Sequence, residues 1–98
     1  MARSNKEPVY KTGDVVLSVA GRDSGRCFIV IEKIDESYLA LADGKLRKVE
    51  KPKKKKYKHV KPIISGAVKE MSALTNKRAE EIIKNAELKV SESYASLS

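Results

Sequence analysis

The feature that most constrains the fold is a series of short apolar runs in the first half of the chain, each ended by turn residues. Apolar residues alternate or are β-branched within these runs, and each run is too short for a typical helix. The predicted strands cover residues 15–19, 27–34, 38–42 and 46–49. Asp43-Gly44 between the last two is a strong hairpin signal. Strands of this length with turns about every ten residues are typical of a small barrel or sandwich.

The apolar period changes after residue 65. Ala79, Ile82, Ile83 and Ala86 are spaced at i, i+3, i+4 and i+7, which indicates an amphipathic helix. The pair Thr75-Asn76 interrupts this stretch as a potential N-cap. We therefore expect one bent helix or a pair of helical pieces between residues 65 and 90.

Ninety-eight residues correspond to one small domain. We expect a mainly β fold, a small β-barrel followed by a C-terminal α-helical segment. The predicted divisions are a flexible arm over residues 1–9, the barrel over 10–64 with a Lys-rich loop over 51–58, the helical segment over 65–90 and a frayed tail over 91–98. Within the barrel, residues 59–64 predict a short edge strand, because Pro62 cannot donate to a central ladder.

Positive charge is concentrated in one segment. The chain carries a formal net charge of +8, and residues 45–61 contain ten basic residues against a single acidic one, Glu50. Residues 67–98 contain five of each sign and are neutral. Such a dense basic segment indicates a polyanion as the partner.

Other classes of function lack their sequence signals. The sequence contains no P-loop, no GxGxxG pattern and no CxxC pair, so we expect no enzyme, no cofactor and no metal. The single cysteine, Cys27, lies in an apolar run and is predicted to be a small buried hydrophobe in a reducing cytosol. The first ten residues lack the apolar stretch of a signal peptide, and no run is long enough to span a membrane.

Residues 11–34 resemble the KOW motif of ribosomal proteins and transcription factors. The matching parts are Gly13-Asp14 before an alternating strand, a glycine-flanked turn over residues 21–25, and a second apolar strand. The resemblance continues over residues 40–63, which look like the region after KOW in the large-subunit ribosomal protein fourteen-e family and in the short bacterial KOW-domain proteins named after it. This resemblance implies an SH3-like barrel and binding of ribosomal RNA.

The turn formed by residues 21–26 is the first candidate site. Its glycines and amides, together with Arg22 and Arg26, suit a phosphate, and KOW barrels use this turn on RNA. A hairpin turn with solvated charges is the alternative. Asp23 is expected to order the turn or to pair with an arginine.

The lysine run around Tyr57 is the second candidate site. Lysines suit phosphate contact without base readout, although a solvated charge run is the usual alternative. Tyr57 would stack on an unpaired base or cover apolar surface. His59 would reach phosphate or hold the loop to the barrel, and no sequence partner supports a catalytic role. The full set of predicted RNA-binding residues is Lys11, Arg22, Ser24, Gly25, Arg26, Arg47, Lys48, Lys53, Lys54, Lys55, Lys56, Tyr57, Lys58, His59 and Lys61.

The sequence thus predicts a non-enzymatic RNA-binding protein of ribosomal type. Its expected partners are large-subunit ribosomal RNA and neighbouring ribosomal proteins, with no membrane and no small-molecule substrate, in a cytoplasmic, ribosome-associated location. The alternatives are a protein-interaction module and a DNA-binding or translation-regulatory factor acting off the ribosome. In the interaction module, the helix stripe of Val68, Met71, Leu74, Ile82 and Ile83 would dock a partner instead of packing on the barrel.

Overall fold

The computed structural model describes the backbone of residues 9–97 and the side chains of residues 9–92. The predicted arm over residues 1–9 therefore lies, apart from Val9, outside the described residues. The strands are β1 (Val15–Ser18), β2 (Cys27–Lys33), β3 (Tyr38–Ala42), β4 (Lys53–Lys56) and β5 (Val60–Ile64). Single 3-10 turns cover Tyr57–His59 and Met71–Ala73, and the α-helix α1 covers Asn76–Leu97. The predicted mainly β fold with a C-terminal helix is confirmed.

All five strands form one antiparallel sheet in the order β4-β3-β2-β1-β5. The predicted small barrel is open, since no ladder joins β4 to β5 within the described part of the chain. The two edge strands are linked by the turn Tyr57–His59, and each edge is protected without closure. Exposed lysines line β4, and Pro62, which has no N–H, lies in β5 as expected of an edge strand.

Both faces of the sheet are buried, because neighbouring residues of the central strands point to opposite sides. Val16, Phe28, Val30, Leu39 and Leu41 belong to one buried cluster, which Tyr10 and Val60 complete. Val15, Cys27 and Ile29 point the other way and meet Ala79, Ile83 and Ala86 of α1. Two-sided burial explains why residues 27–31 read as a continuous apolar run.

The helix packs its apolar stripe on the sheet, as predicted for its first half. Ala79 and Ala86 are fully buried, and Ile82, Leu74 and Val68 pack against the same cluster. Thr75 is the N-cap: its Oγ1 accepts the backbone N–H of Arg78 at 3.1 Å. The helix begins about ten residues later than expected, after a single 3-10 turn, and continues to Leu97, so the frayed tail predicted from residue 91 is wrong as far as the helix extends.

The predicted strand over residues 46–49 is also wrong. Asp43 accepts the backbone N–H groups of Lys45 and Arg47, both at 2.9 Å, and Asn76 of α1 accepts that of Val49 at 2.7 Å. Side-chain oxygens therefore take the donors that a ladder would have used. The fourth strand is β4, inside the segment that was expected to be an extended loop.

Close approach of backbones holds the helical segment to the sheet at two glycines. Gly44 adopts a φ of +82° and lies against the backbone carbonyl of Asn76, where a Cβ atom would overlap it. Gly13, with a φ of +92°, lies in the same way against Val68. Both positions need glycine for conformation and for space.

Candidate nucleic-acid interface

Two of the four lysines in β4 point inward and share one carboxylate. Lys53 Nζ lies 2.6 Å from Asp23 Oδ2, and Lys55 Nζ lies 2.7 Å from Asp23 Oδ1. Lys55 also donates to the carbonyl oxygen of Ala20 at 2.7 Å, and only 8% of this residue is exposed. Lys53 and Lys55, both predicted RNA contacts, are therefore internal ion-pair partners.

Asp23 organises the turn that the sequence singled out. Burial alone would raise the pKa of its carboxyl group, but hydrogen bonds from Lys53, Lys55 and Ser18 hold that pKa well below the ordinary value of 3.8. The Ser18 hydroxyl donates to Asp23 at 2.8 Å. Asp23 orders the turn as expected, but its partners are lysines and not an arginine. The carboxylate thereby joins the two candidate sites, which the sequence left separate.

The other two lysines of β4 point outward. Lys54 and Lys56 are exposed and alternate with the anchored pair, since successive side chains of a strand face opposite sides. Lys54 Nζ lies 4.3 Å from the centroid of the Tyr38 ring, a cation–π contact. Neither ammonium group has a carboxylate partner among the described residues. Both are available to phosphate on a strand whose backbone is fixed by pairing with β3.

Three backbone amides of the glycine turn already have partners inside the protein. The N–H groups of Ser24, Gly25 and Arg26 donate to backbone carbonyls of the turn and of Ser18, at 2.8 to 3.2 Å. The expected amide cradle for phosphate is therefore wrong for these three groups. Arg22 is exposed, and the exposed guanidinium of Arg26 lies 3.5 Å from Asp43 Oδ2.

A second exposed basic group lies beyond the carboxyl end of β3. Arg47 and Lys48 are exposed there, in the segment that Asp43 and Asn76 hold. The Arg26–Asp43 ion pair connects this segment to the glycine turn. Lys11 is exposed as well, and its backbone N–H donates to Asp14 at 2.9 Å.

A groove opens at the other end of the β3–β4 pair, where the turn Tyr57–His59 connects the two edges of the sheet. Its volume is about 780 Å³. Three tyrosines and three lysines line it: Tyr10, Tyr38, Tyr57, Lys56, Lys58 and Lys61. All three lysines are exposed. Lysines and aromatic rings thus alternate around one depression, an arrangement found in surfaces that bind nucleic acid.

Tyr57 covers apolar surface, one of its two expected roles. It packs against the cluster of Val16 and Phe28, and its ring meets Tyr10 edge to face, with centroids 5.3 Å apart. Its hydroxyl oxygen is buried without a hydrogen-bond partner within the described residues. Lys33 Nζ lies 5.8 Å from the ring centroid. Stacking on a base, the second expected role, stays a prediction.

Tyr10 and His59 each form a hydrogen bond that involves the backbone. Tyr10 donates its hydroxyl to the carbonyl of Val60 at 3.2 Å, and burial, with Tyr57 nearby, raises its pKa. The carbonyl of His59 accepts the N–H of Val19 at 2.9 Å, which ties the 3-10 turn to the end of β1.

Sequence reasoning missed Tyr10, Tyr38 and Lys33. Tyr38 was assigned to a strand, and nothing in the sequence sets the register that places it opposite Lys56. The sequence offered one signal, the small number of its aromatic residues. The chain has five, four of them tyrosine, and three of these tyrosines line one groove.

The structure also bears on metal and thiol chemistry. Within residues 9–92, no group of three or more His, Cys, Asp or Glu side chains is placed to hold a metal ion. Burial, and then the nearby Glu87 carboxylate, raise the pKa of the Cys27 thiol to about 11, so the thiol is protonated at neutral pH. Cys27 is buried, as predicted. Within the described part of the chain, no helix combines the length and the apolar character needed to cross a membrane.

Comparison of the sequence with models of known protein families finds no match, and neither does comparison with curated proteins. The resemblance to KOW proteins therefore stays a prediction that depends on the residues quoted for it.

Proposed function

We propose that this chain is a non-enzymatic RNA-binding protein of ribosomal type, which holds ribosomal RNA mainly by its phosphates. The observation that carries the proposal is the division of the lysines in β4. Asp23 anchors Lys53 and Lys55, so the strand is rigid, and Lys54 and Lys56 project from it without partners among the described residues.

Rigid placement matters because phosphate contacts compete with hydration and with side-chain entropy. Flexible lysines on a fixed strand lose less freedom on binding than lysines on a mobile loop. Lys58 and Lys61 extend the same basic surface past the 3-10 turn, and Arg22 extends it along the glycine turn. Lysine contacts of this kind hold the backbone and carry little sequence information.

The ribosomal assignment rests on the resemblance to the KOW and fourteen-e families. Double-stranded RNA is recognised mostly through its shape and its phosphates, which suits a protein with many lysines and few base-reading side chains. Large-subunit RNA, neighbouring ribosomal proteins and a cytoplasmic, ribosome-associated location are parts of the same proposal.

The protein-docking alternative requires an exposed apolar stripe on α1. The apolar stripe of α1 that would have bound a partner packs on the sheet through Ala79, Ile83 and Ala86.

Sedimentation of the protein with ribosomal subunits at increasing salt tests the proposal. We expect the protein to travel with large subunits at low salt and to dissociate as salt rises, because each phosphate contact releases counterions. Absence from the large subunits at low salt would contradict the ribosomal assignment. Equal competition by RNA and DNA of the same length would favour a general nucleic-acid-binding factor.

A further inference from the structure

The groove next to the 3-10 turn has the shape and chemistry of a nucleotide site. Its volume of about 780 Å³ lies in the range of roughly 300–1,000 Å³ that is typical of small-ligand sites. Aromatic surface lies beside exposed ammonium groups. We propose that this groove receives one unpaired nucleotide of the RNA to which the protein binds. This inference rests on the proposed function and adds to it a structural requirement of the RNA.

The base would stack on Tyr38. This ring is half-buried at the wall of the groove, and Lys54 covers one of its faces. Only the opposite face can take a base. A ring with a cation over one face is a good platform for a base on the other, because every base has a π-face and stacking tolerates all four bases.

The buried hydroxyl of Tyr57 supplies the polar contact. Its oxygen has no hydrogen-bond partner among the described residues, and buried polar groups in folded proteins normally have one. Tyr57 lines the same groove as Tyr38. The oxygen is closed to solvent in the free protein, so a base reaches it only if neighbouring side chains move as the base enters. The edge of a base carries both donors and acceptors and would then satisfy this hydroxyl, whereas an aliphatic ligand would not.

The charge of the groove matches the phosphate of the same nucleotide. Lys56, Lys58 and Lys61 are exposed at its rim, and Glu36 is the one carboxylate among the described residues that line it. The rim is therefore net positive. A base paired inside a duplex cannot reach Tyr38, since its faces are covered by neighbouring pairs. The occupant must come from a bulge, a loop or a single-stranded end.

The test uses two RNA hairpins that differ by one bulged 2-aminopurine, whose fluorescence falls when it stacks. We expect the wild-type protein to bind the bulged hairpin roughly tenfold more tightly than the perfect one and to quench the probe. Tyr38→Leu should abolish both effects, so that this variant binds the bulged and the perfect hairpin with equal affinity. Tyr38→Phe, the matched control, keeps the ring and should retain both.

A second variant keeps the proposal testable if Tyr38→Leu does not fold. Tyr57→Phe removes only the unpartnered hydroxyl and should reduce the preference for the bulged hairpin several-fold, because the base edge loses its partner. An unchanged preference in Tyr57→Phe would contradict the assigned polar contact.

The outcomes separate this inference from the proposed function. Equal affinity for the two hairpins, without quenching, would overturn the nucleotide site while RNA binding stands. Failure to bind either hairpin would overturn both proposals. Adenosine monophosphate is the third probe: if it displaces the bulged hairpin at a concentration near the dissociation constant of that hairpin, the occupant is a free nucleotide and the inference is wrong.

Discussion

Lys55 Nζ lies 2.7 Å from Asp23 Oδ1, although 32 positions of sequence separate the two residues. The contact joins the glycine turn to the edge strand β4, and Lys53 shares the same carboxylate. A segment of four consecutive lysines can form a strand here because two of them are paired inside the fold. The ion pairs thus explain why Lys53 and Lys55 stabilise the fold while Lys54 and Lys56, in the same run, point to solvent.

Replacement of Asp23 by alanine should destabilise the fold. Lys55 would then hold a buried ammonium without a carboxylate, which costs about 3 kcal/mol in the free energy of unfolding. Urea denaturation measures this cost. Lys55→Met removes the ammonium group that Asp23→Ala leaves without its carboxylate. The double variant Asp23→Ala/Lys55→Met should therefore lose less unfolding free energy than the sum of the losses in the two single variants. Glu36→Ala, an exposed carboxylate, is the control and should change stability little.

The same ion pairs predict a pH dependence. The folded-state pKa of Asp23 is held below its ordinary value of 3.8. The contribution of this carboxylate to the free energy of unfolding is therefore complete above about pH 3.8 and is lost as the pH falls through the folded-state pKa. The gap in unfolding free energy between wild type and Asp23→Asn should therefore be smaller at about pH 2.5 than at about pH 6. A gap that stays constant with pH would show that the carboxylate titrates alike in the folded and unfolded chains.

Two glycines with the same backbone conformation should respond differently to alanine. Gly13 and Gly25 both have a φ of +92°, but a Cβ atom at Gly13 would overlap the carbonyl of Val68. A Cβ atom at Gly25 would meet no described residue other than its chain neighbours within 4 Å. Gly25→Ala should cost about 1–2 kcal/mol, the strain of the left-handed conformation. Gly13→Ala should cost roughly 1–3 kcal/mol more, from overpacking. Equal losses in urea denaturation would contradict the close contact with Val68.

Cys27 offers a probe of the intact sheet. It is 1% exposed, and its pKa is raised to about 11, so the native thiol should react with iodoacetamide at least roughly 100-fold more slowly than in the urea-unfolded chain. Glu87 accepts the backbone N–H of Cys27 at 2.9 Å and thereby ties α1 to β2. Glu87→Ala should accelerate alkylation, since the helix then opens more easily. Lys89→Ala, on an exposed position of the same helix, should leave the rate unchanged.

Local patterns in the sequence predicted much of the sheet. Alternation and β-branching identified β1, β2 and β3, and Pro62 identified β5 as an edge strand. Alternation, β-branching and a proline each constrain the structure of only the few residues around them. The helix was also predicted, because its apolar stripe repeats with the helical period over Ala79 to Ala86.

The errors arose where distant residues decide the local structure. β4 looked like a mutually repelling loop because its partner carboxylate, Asp23, lies thirty positions away from Lys53. Residues 46–49 looked like a strand because the acceptor on Asn76 is equally remote from Val49 in sequence. The groove required the register of β3 against β4, and a one-residue slip would have placed Tyr38 on the other face.

The most direct test of RNA binding is the salt dependence of affinity for a large-subunit RNA fragment in a filter-binding assay. We expect the logarithm of the association constant to fall linearly with the logarithm of salt concentration. The triple variant Lys54→Ser/Lys56→Ser/Lys58→Ser should bind more weakly. The magnitude of its slope should be smaller by roughly 2, since three phosphate contacts are lost. The matched control Lys77→Ser/Lys84→Ser/Lys89→Ser removes the same charge from α1 and should keep most of the slope. No affinity, or the same slope in wild type and in both variants, would contradict the proposal.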